Sequence, residues 1–145
     1  MRKRLALASV VLAAIAAAVP LASAGHRLTG KQTVSVTLKE YAFISPQLRK
    51  PTFGKPSNLK AGPTTFTFKN AGKFSHDFTI AVATAGAPKF SSGMIKPGKS
   101  KTMTVNLKPG AYLALCMEFN GFHWASGMVK PFTVGQINEK GKWVP

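Results

Sequence analysis

The run Cys116-Met117-Glu118-Phe119-Asn120-Gly121-Phe122-His123-Trp124-Ala125-Ser126-Gly127-Met128 decides how this chain is read. It holds the only cysteine, together with one imidazole and one thioether. A second imidazole, His76, lies forty positions upstream of the cysteine. Two nitrogens, a thiolate and a weak thioether form the donor set of a mononuclear copper site. Soft sulfur suits the reduced ion, imidazole suits both oxidation states, and a long axial thioether tunes the balance between them. Taken singly, a histidine is commonly structural and a methionine commonly core filler. Met94, Met103 and Met117 are read that way, as filler or surface. The combination at one end of a strand-rich chain is what points to metal.

Working outward from this run, the strand signals dominate. Thr33–Leu38, Thr64–Phe68 and Lys101–Leu107 alternate polar and apolar residues. Phe78–Ala83 and Ala111–Met117 are more continuously apolar, as expected for strands buried on both faces. Val129–Val134 closes the series, and Pro131 places it at a sheet edge or bulge. Tyr41-Ala42-Phe43 extends or pairs with the first strand. Turn chemistry separates these runs at Ala61-Gly62-Pro63, Asn70-Ala71-Gly72, Lys96-Pro97-Gly98 and Lys108-Pro109-Gly110. Pro46–Asn58 and Ala85–Gly93 read as loops, and the polar tail Gln136–Pro145 reads as peripheral. No stretch shows capped helical periodicity. The pattern predicts an all-β Greek-key sandwich of six or seven short strands.

The N-terminus reads as a targeting segment. Arg2, Lys3 and Arg4 precede an apolar stretch, and Ala22-Ser23-Ala24 is a small-residue cleavage site. The expected organisation is a signal peptide over residues 1–24 and a single domain over residues 25–145. An uncleaved Leu5–Ala24 anchor is the rival reading, disfavoured by Pro20 and the cleavage site. No later segment is apolar for long enough to span a membrane. Export to the periplasm or beyond makes a lone cysteine informative, because oxidising compartments favour pairs. Cys116 is then an inert buried thiol, an intermolecular link or a metal ligand.

The whole chain carries a formal charge of +16. Losing the three basic residues of the signal leaves 17 Lys and Arg against four acidic residues, a net +13. Such a charge steers association toward acidic partner proteins or an anionic envelope surface. The lysines are scattered, and no zinc-finger or RNA-binding signature accompanies them, so nucleic acid is not the expected partner. With few carboxylates, no nucleophile–base order in motif context and no phosphate loop, an enzyme is not expected. A monomer is expected.

Beyond the donor pattern, the chain resembles the cupredoxins, the plastocyanin/azurin-like type 1 blue-copper proteins. The resemblance runs from about Val34 to Val134. It is carried by Leu38-Lys39-Glu40-Tyr41-Ala42-Phe43, by Asn70–Phe78, by Ile95–Ser100, by Leu107–Tyr112 and by the Cys–His–Met run. It implies one type 1 copper ion on His76, Cys116, His123 and Met128. It also implies single-electron transport between redox partners. The alternative is a periplasmic copper carrier or chaperone without an electron-transfer role.

One feature departs from the family. Six residues separate Cys116 from His123, more than plastocyanins and azurins usually carry, which puts the site's spectroscopy at stake. Glu118 offers an extra oxygen in this loop and is read as a solvated carboxylate. Asp77 is read as a hydrogen-bonding link between the two ligand loops, or equally as a strand-start cap. In cupredoxins the loop histidine generally lies nearest solvent, so Phe119, Phe122 and Trp124 are expected either to form an apolar rim around it for partner docking or to close the sandwich end over the metal. Cleavage after Ala24 would also expose Gly25-His26, whose amine, amide and imidazole can hold a second Cu(II).

Overall fold

Alternation in the sequence becomes two packed sheets in the computed structural model, which describes residues 31–50, 57–82 and 90–144. The expected signal segment over residues 1–24 and the Gly25-His26 pair lie outside the described residues, as do parts of the two long loops. Ten strands and one helical turn are present among the described residues: β1 (Gln32–Lys39), β2 (Ala42–Ile44), β3 (Gly62–Asn70), β4 (Thr79–Val82), β5 (Phe90–Ser91), β6 (Ser100–Leu107), β7 (Gly110–Leu115), α1 (Phe122–Ala125), β8 (Val129–Val134), β9 (Gln136–Ile137) and β10 (Trp143–Val144). One sheet has the order β2-β1-β3-β6 and the other β5-β4-β7-β8, while β9 and β10 form a separate hairpin. Among the main-sheet pairs, β1 with β3 is parallel and the others are antiparallel. The expected all-β sandwich is what the chain forms.

Period-two patterning explains the core. Val34, Val36 and Leu38 of β1 and Phe66 and Phe68 of β3 point inward and are buried. They meet Ile80, Tyr112, Ala114, Phe132 and Val134 from the facing sheet. Phe78 sits where the sheets meet, with the rings of Phe43, Phe66 and Phe68 at 5.1, 5.4 and 5.1 Å. Burying aromatic rings of this size supplies much of the stabilisation of such a sandwich. At the far end, the Tyr112 hydroxyl donates to the Lys108 carbonyl at 2.8 Å and accepts the Lys108 N–H at 3.2 Å, closing the Pro109-Gly110 turn.

Two sequence expectations are corrected. The run around β7 is not buried on both faces: Tyr112, Ala114 and Cys116 point inward, whereas Ala111, Leu113 and Leu115 are half-buried. Only one side of this sheet is covered by the other, so apolar residues on its outer side meet partial solvent. The polar tail folds into its own hairpin apart from the two main sheets, Trp143 and Val144 pairing with Ile137 and Gln136. Part of Ala85–Gly93 also pairs: Phe90 and Ser91 lie against Ile80 and Thr79. Pro131 does sit on an edge strand, opposite Leu113 of β7. Edge placement lets proline occupy a strand without costing a ladder bond.

Candidate metal centre

Three segments deliver the donors to one end of the sandwich. Cys116 follows the last residue of β7 and its side chain is fully buried. His76 precedes β4 and is fixed by a two-way backbone bridge to Ile95, with N···O distances of 3.1 and 2.7 Å. It opens an extended stretch rather than the strand itself, which begins at Thr79.

His123 arrives by way of the long loop. Phe119, Asn120 and Gly121 adopt consecutive left-handed conformations with φ of 54°, 53° and 82°. That conformation is uncommon for a bulky residue such as Phe119 and natural for glycine. The Gly121 N–H bonds the Met117 carbonyl at 3.0 Å and the Phe122 N–H bonds the Phe119 carbonyl at 3.1 Å. The single turn of α1 then carries His123. The six intervening residues are thus absorbed by a tight reversal, and His123 returns to the cysteine. Met128 follows, fully buried, with its N–H on the His123 carbonyl at 2.9 Å and its carbonyl taking the Cys116 N–H at 3.2 Å.

The donor atoms of His76, Cys116 and His123 all lie within 4.8 Å of one another. Nδ1 of His76 is 3.1 Å from Nδ1 of His123. Cys116 Sγ is 3.3 Å from Nδ1 of His123 and 3.8 Å from Nδ1 of His76. Metal–nitrogen bonds of about 2 Å and a metal–sulfur bond of about 2.3 Å span separations of this size. The residues present therefore fit a metal ion. Burial disfavours charge in this pocket. It pushes the Cys116 thiol up to about 11, and it lowers His76, with the neighbouring His123 adding to the effect. A cation placed among these donors would relieve that penalty.

Asp77 is the link between the ligand segments. Its Oδ1 accepts the Met117 N–H at 2.5 Å, its Oδ2 accepts the Thr79 hydroxyl at 2.5 Å, and its own N–H points to Cys116 Sγ at 3.5 Å. The cysteine sulfur is held from outside by this backbone N–H. Glu118 is half-buried and stands outside the donor cluster, its carboxyl raised chiefly by burial.

His123 differs from expectation: it is 2 % exposed, hardly more open than His76. Its ring is enclosed by Tyr41 at 5.6 Å, Phe119 at 5.0 Å, Phe74 at 6.3 Å and Phe122 at 6.4 Å. These aromatics, with Trp124 and Met117, are 40–60 % exposed. Of the two arrangements expected for these rings, Phe119 and Phe122 take the covering one over the imidazole, while Trp124 is half exposed next to it in the chain.

Sequence reading missed three contributors. Glu40 and Tyr41 come from the β1–β2 turn, where Tyr41 takes a φ of 58°. Glu40 Oε1 accepts the backbone N–H groups of Lys73 and Phe74, and the Lys73 bond is the main cause holding its carboxyl below the usual range. Asn70 was legible only as a turn residue. It is fully buried and bonds Phe74, Ile95 and Gly72, which shapes the loop before His76.

A β-sandwich that brings two imidazoles and a thiol together at one end, with a buried methionine following in the same loop, defines the class: a β-sandwich scaffold with a candidate metal centre. Comparison with solved structures agrees on the fold. The chain is similar to sodium-dithionite-reduced auracyanin from Roseiflexus castenholzii, at 22 % identity and a TM-score of 0.56, covering 74 % of this chain and 98 % of that one. Auracyanin A, described as a "blue" copper protein from Chloroflexus aurantiacus, aligns at 17 % identity and a TM-score of 0.55, covering 73 % and 100 %. Auracyanin B aligns at 20 % identity and 0.56, covering 72 % and 89 %. No protein-family model matches the sequence, and no curated protein matches it.

Proposed function

We propose that this protein is an exported, non-enzymatic electron carrier with one type 1 copper ion held by His76, Cys116, His123 and Met128. The observation that carries the reading is the convergence of the three N and S donors within 4.8 Å in a buried pocket. The blue-copper description of auracyanin A, which shares the fold, supports the choice of metal. Bound copper would supply one-electron cycling. The chain supplies the rest: Asp77 and the Ile95 bridge fix the ligands so that little reorganisation accompanies a change of charge, and the sandwich excludes water from the sulfur.

The exposed aromatic cover over His123 is the surface through which electrons would pass. Its rings are apolar, and Lys73 stands beside Phe74 in the same loop. With the excess of lysine over the whole chain, this surface suits an acidic redox protein, with charge steering the encounter. Export rests on the N-terminal sequence pattern. Among the described residues no helix is long and apolar enough to cross a membrane.

Voltammetry and copper transfer test the reading together. An electron carrier shows a reversible one-electron couple and keeps its copper in both states when challenged with an apo-acceptor. Ready release of cuprous ion to the acceptor would instead establish copper delivery as the role. Electron transfer to an acidic partner should slow steeply with added salt.

A further inference from the structure

His76 has two ring nitrogens, and only Nδ1 faces the donor cluster. Its Nε2 is buried and, among the described residues, has no hydrogen-bond partner. An imidazole bound to metal through Nδ1 carries its proton on Nε2, and ligating histidines nearly always donate that proton to an oxygen. The nearby carboxylate is that of Glu40, with Oε1 4.0 Å from Nε2. The carboxylate is already oriented by the Lys73 and Phe74 N–H groups, in the loop that leads to His76. Gly72 keeps the space between them open. A Cβ there would lie 2.6 Å from Glu40 Oε1 and 2.9 Å from His76 Nε2. The glycine is needed for close approach and not for backbone freedom.

We infer that Glu40 is the positioning residue of the metal centre, accepting the Nε2–H of His76 and fixing that ring's tautomer and tilt. The inference rests on the copper reading above. Closing the gap takes a shift of about 1 Å, to reach the ordinary N–H···O distance. The resulting charged hydrogen bond makes His76 a stronger donor and favours the cupric over the cuprous state. Glu40 acts through His76 and does not itself touch the metal.

The test uses the full chain loaded with copper. Glu40→Gln keeps a carbonyl for the Lys73 and Phe74 N–H groups, so the loop remains clamped while the carboxylate charge is lost. Loss of an outer partner weakens metal binding about 10–100-fold. At the lower figure, with cuprous affinity unchanged, the reduction potential rises by about 59 mV for one electron. In the cuprous protein, the His76 Nε2–H should give a slowly exchanging NMR signal that exchanges faster in Glu40→Gln. Gly72→Ala should move both readouts in the same direction by wedging the pair apart. A folded Glu40→Gln protein with unchanged potential and exchange would overturn the inference, even if its melting temperature fell, because a loop clamp alone changes only stability. Wild-type protein that never takes up copper would overturn the copper reading and this inference with it. Wild-type protein that loads normally beside an unshifted Glu40→Gln overturns only the role of Glu40.

Discussion

Replacing Asn70 by alanine removes three hydrogen bonds at once. Nδ2 donates to the Phe74 and Ile95 carbonyls, each at 2.8 Å, and Oδ1 accepts the Gly72 N–H at 2.9 Å. Each such bond contributes about 1 kcal/mol net, and a buried group left bare costs about 1–3 kcal/mol. The Ile95 carbonyl still accepts the His76 N–H at 3.1 Å, so it is not left bare. The Phe74 and Gly72 groups are only part-buried, and water can replace the lost partner. The loss is therefore about 3 kcal/mol, near the sum of the three net bonds and below the full desolvation limit. For a domain of this size that lowers the melting temperature by roughly 10–20 °C. Urea unfolding of the metal-free protein, read by tryptophan fluorescence, measures it. A loss under about 1 kcal/mol would refute the view that Asn70 organises the loop before His76.

Four further outcomes follow from the same structure. Phe78→Ala should cost about 3–5 kcal/mol in urea unfolding, because its buried ring is shared by Phe43, Phe66 and Phe68. Met128→Leu should keep the copper and raise its reduction potential, since a weak axial donor favours the cupric state; an unchanged potential in voltammetry would remove Met128 from the ligand set. The Cys116 thiol, pushed up to about 11 by burial, must lose its proton to bind metal. It should make the apparent cupric affinity rise about tenfold per pH unit across neutral pH, read by chelator competition. The same shift means that the folded metal-free protein binds more protons than the unfolded chain between about pH 9 and 11, so its stability should fall as pH rises through that window.

The strands and the donors were legible because both are local or periodic. Val34, Val36 and Leu38 announce an inward face by spacing alone, and the Cys116–Met128 run places three donors on one loop. The sequence pattern does not say which apolar run has two covered faces. Leu113 and Leu115 look like core residues but lie on the side of β7 that the other sheet does not cover. The helical turn at Phe122–Ala125 is too short for any periodicity, and its position follows from the left-handed reversal at 119–121. The tail hairpin depends on Asn138, whose Oδ1 accepts the Lys140 and Lys142 N–H groups. The outer support of the site was the least legible part. Glu40 and His76 are 36 residues apart, and nothing around Glu40 marks it as more than a turn carboxylate.

Reconstitution with Cu(II), followed by visible absorption and EPR spectroscopy, tests the central claim most directly. A type 1 site on Cys116 gives an intense thiolate-to-copper charge-transfer band and an EPR signal from one copper per chain, with the band absent in a folded Cys116→Ser protein. A folded wild-type protein without that band, or a band that survives the loss of the only cysteine, would contradict such a site.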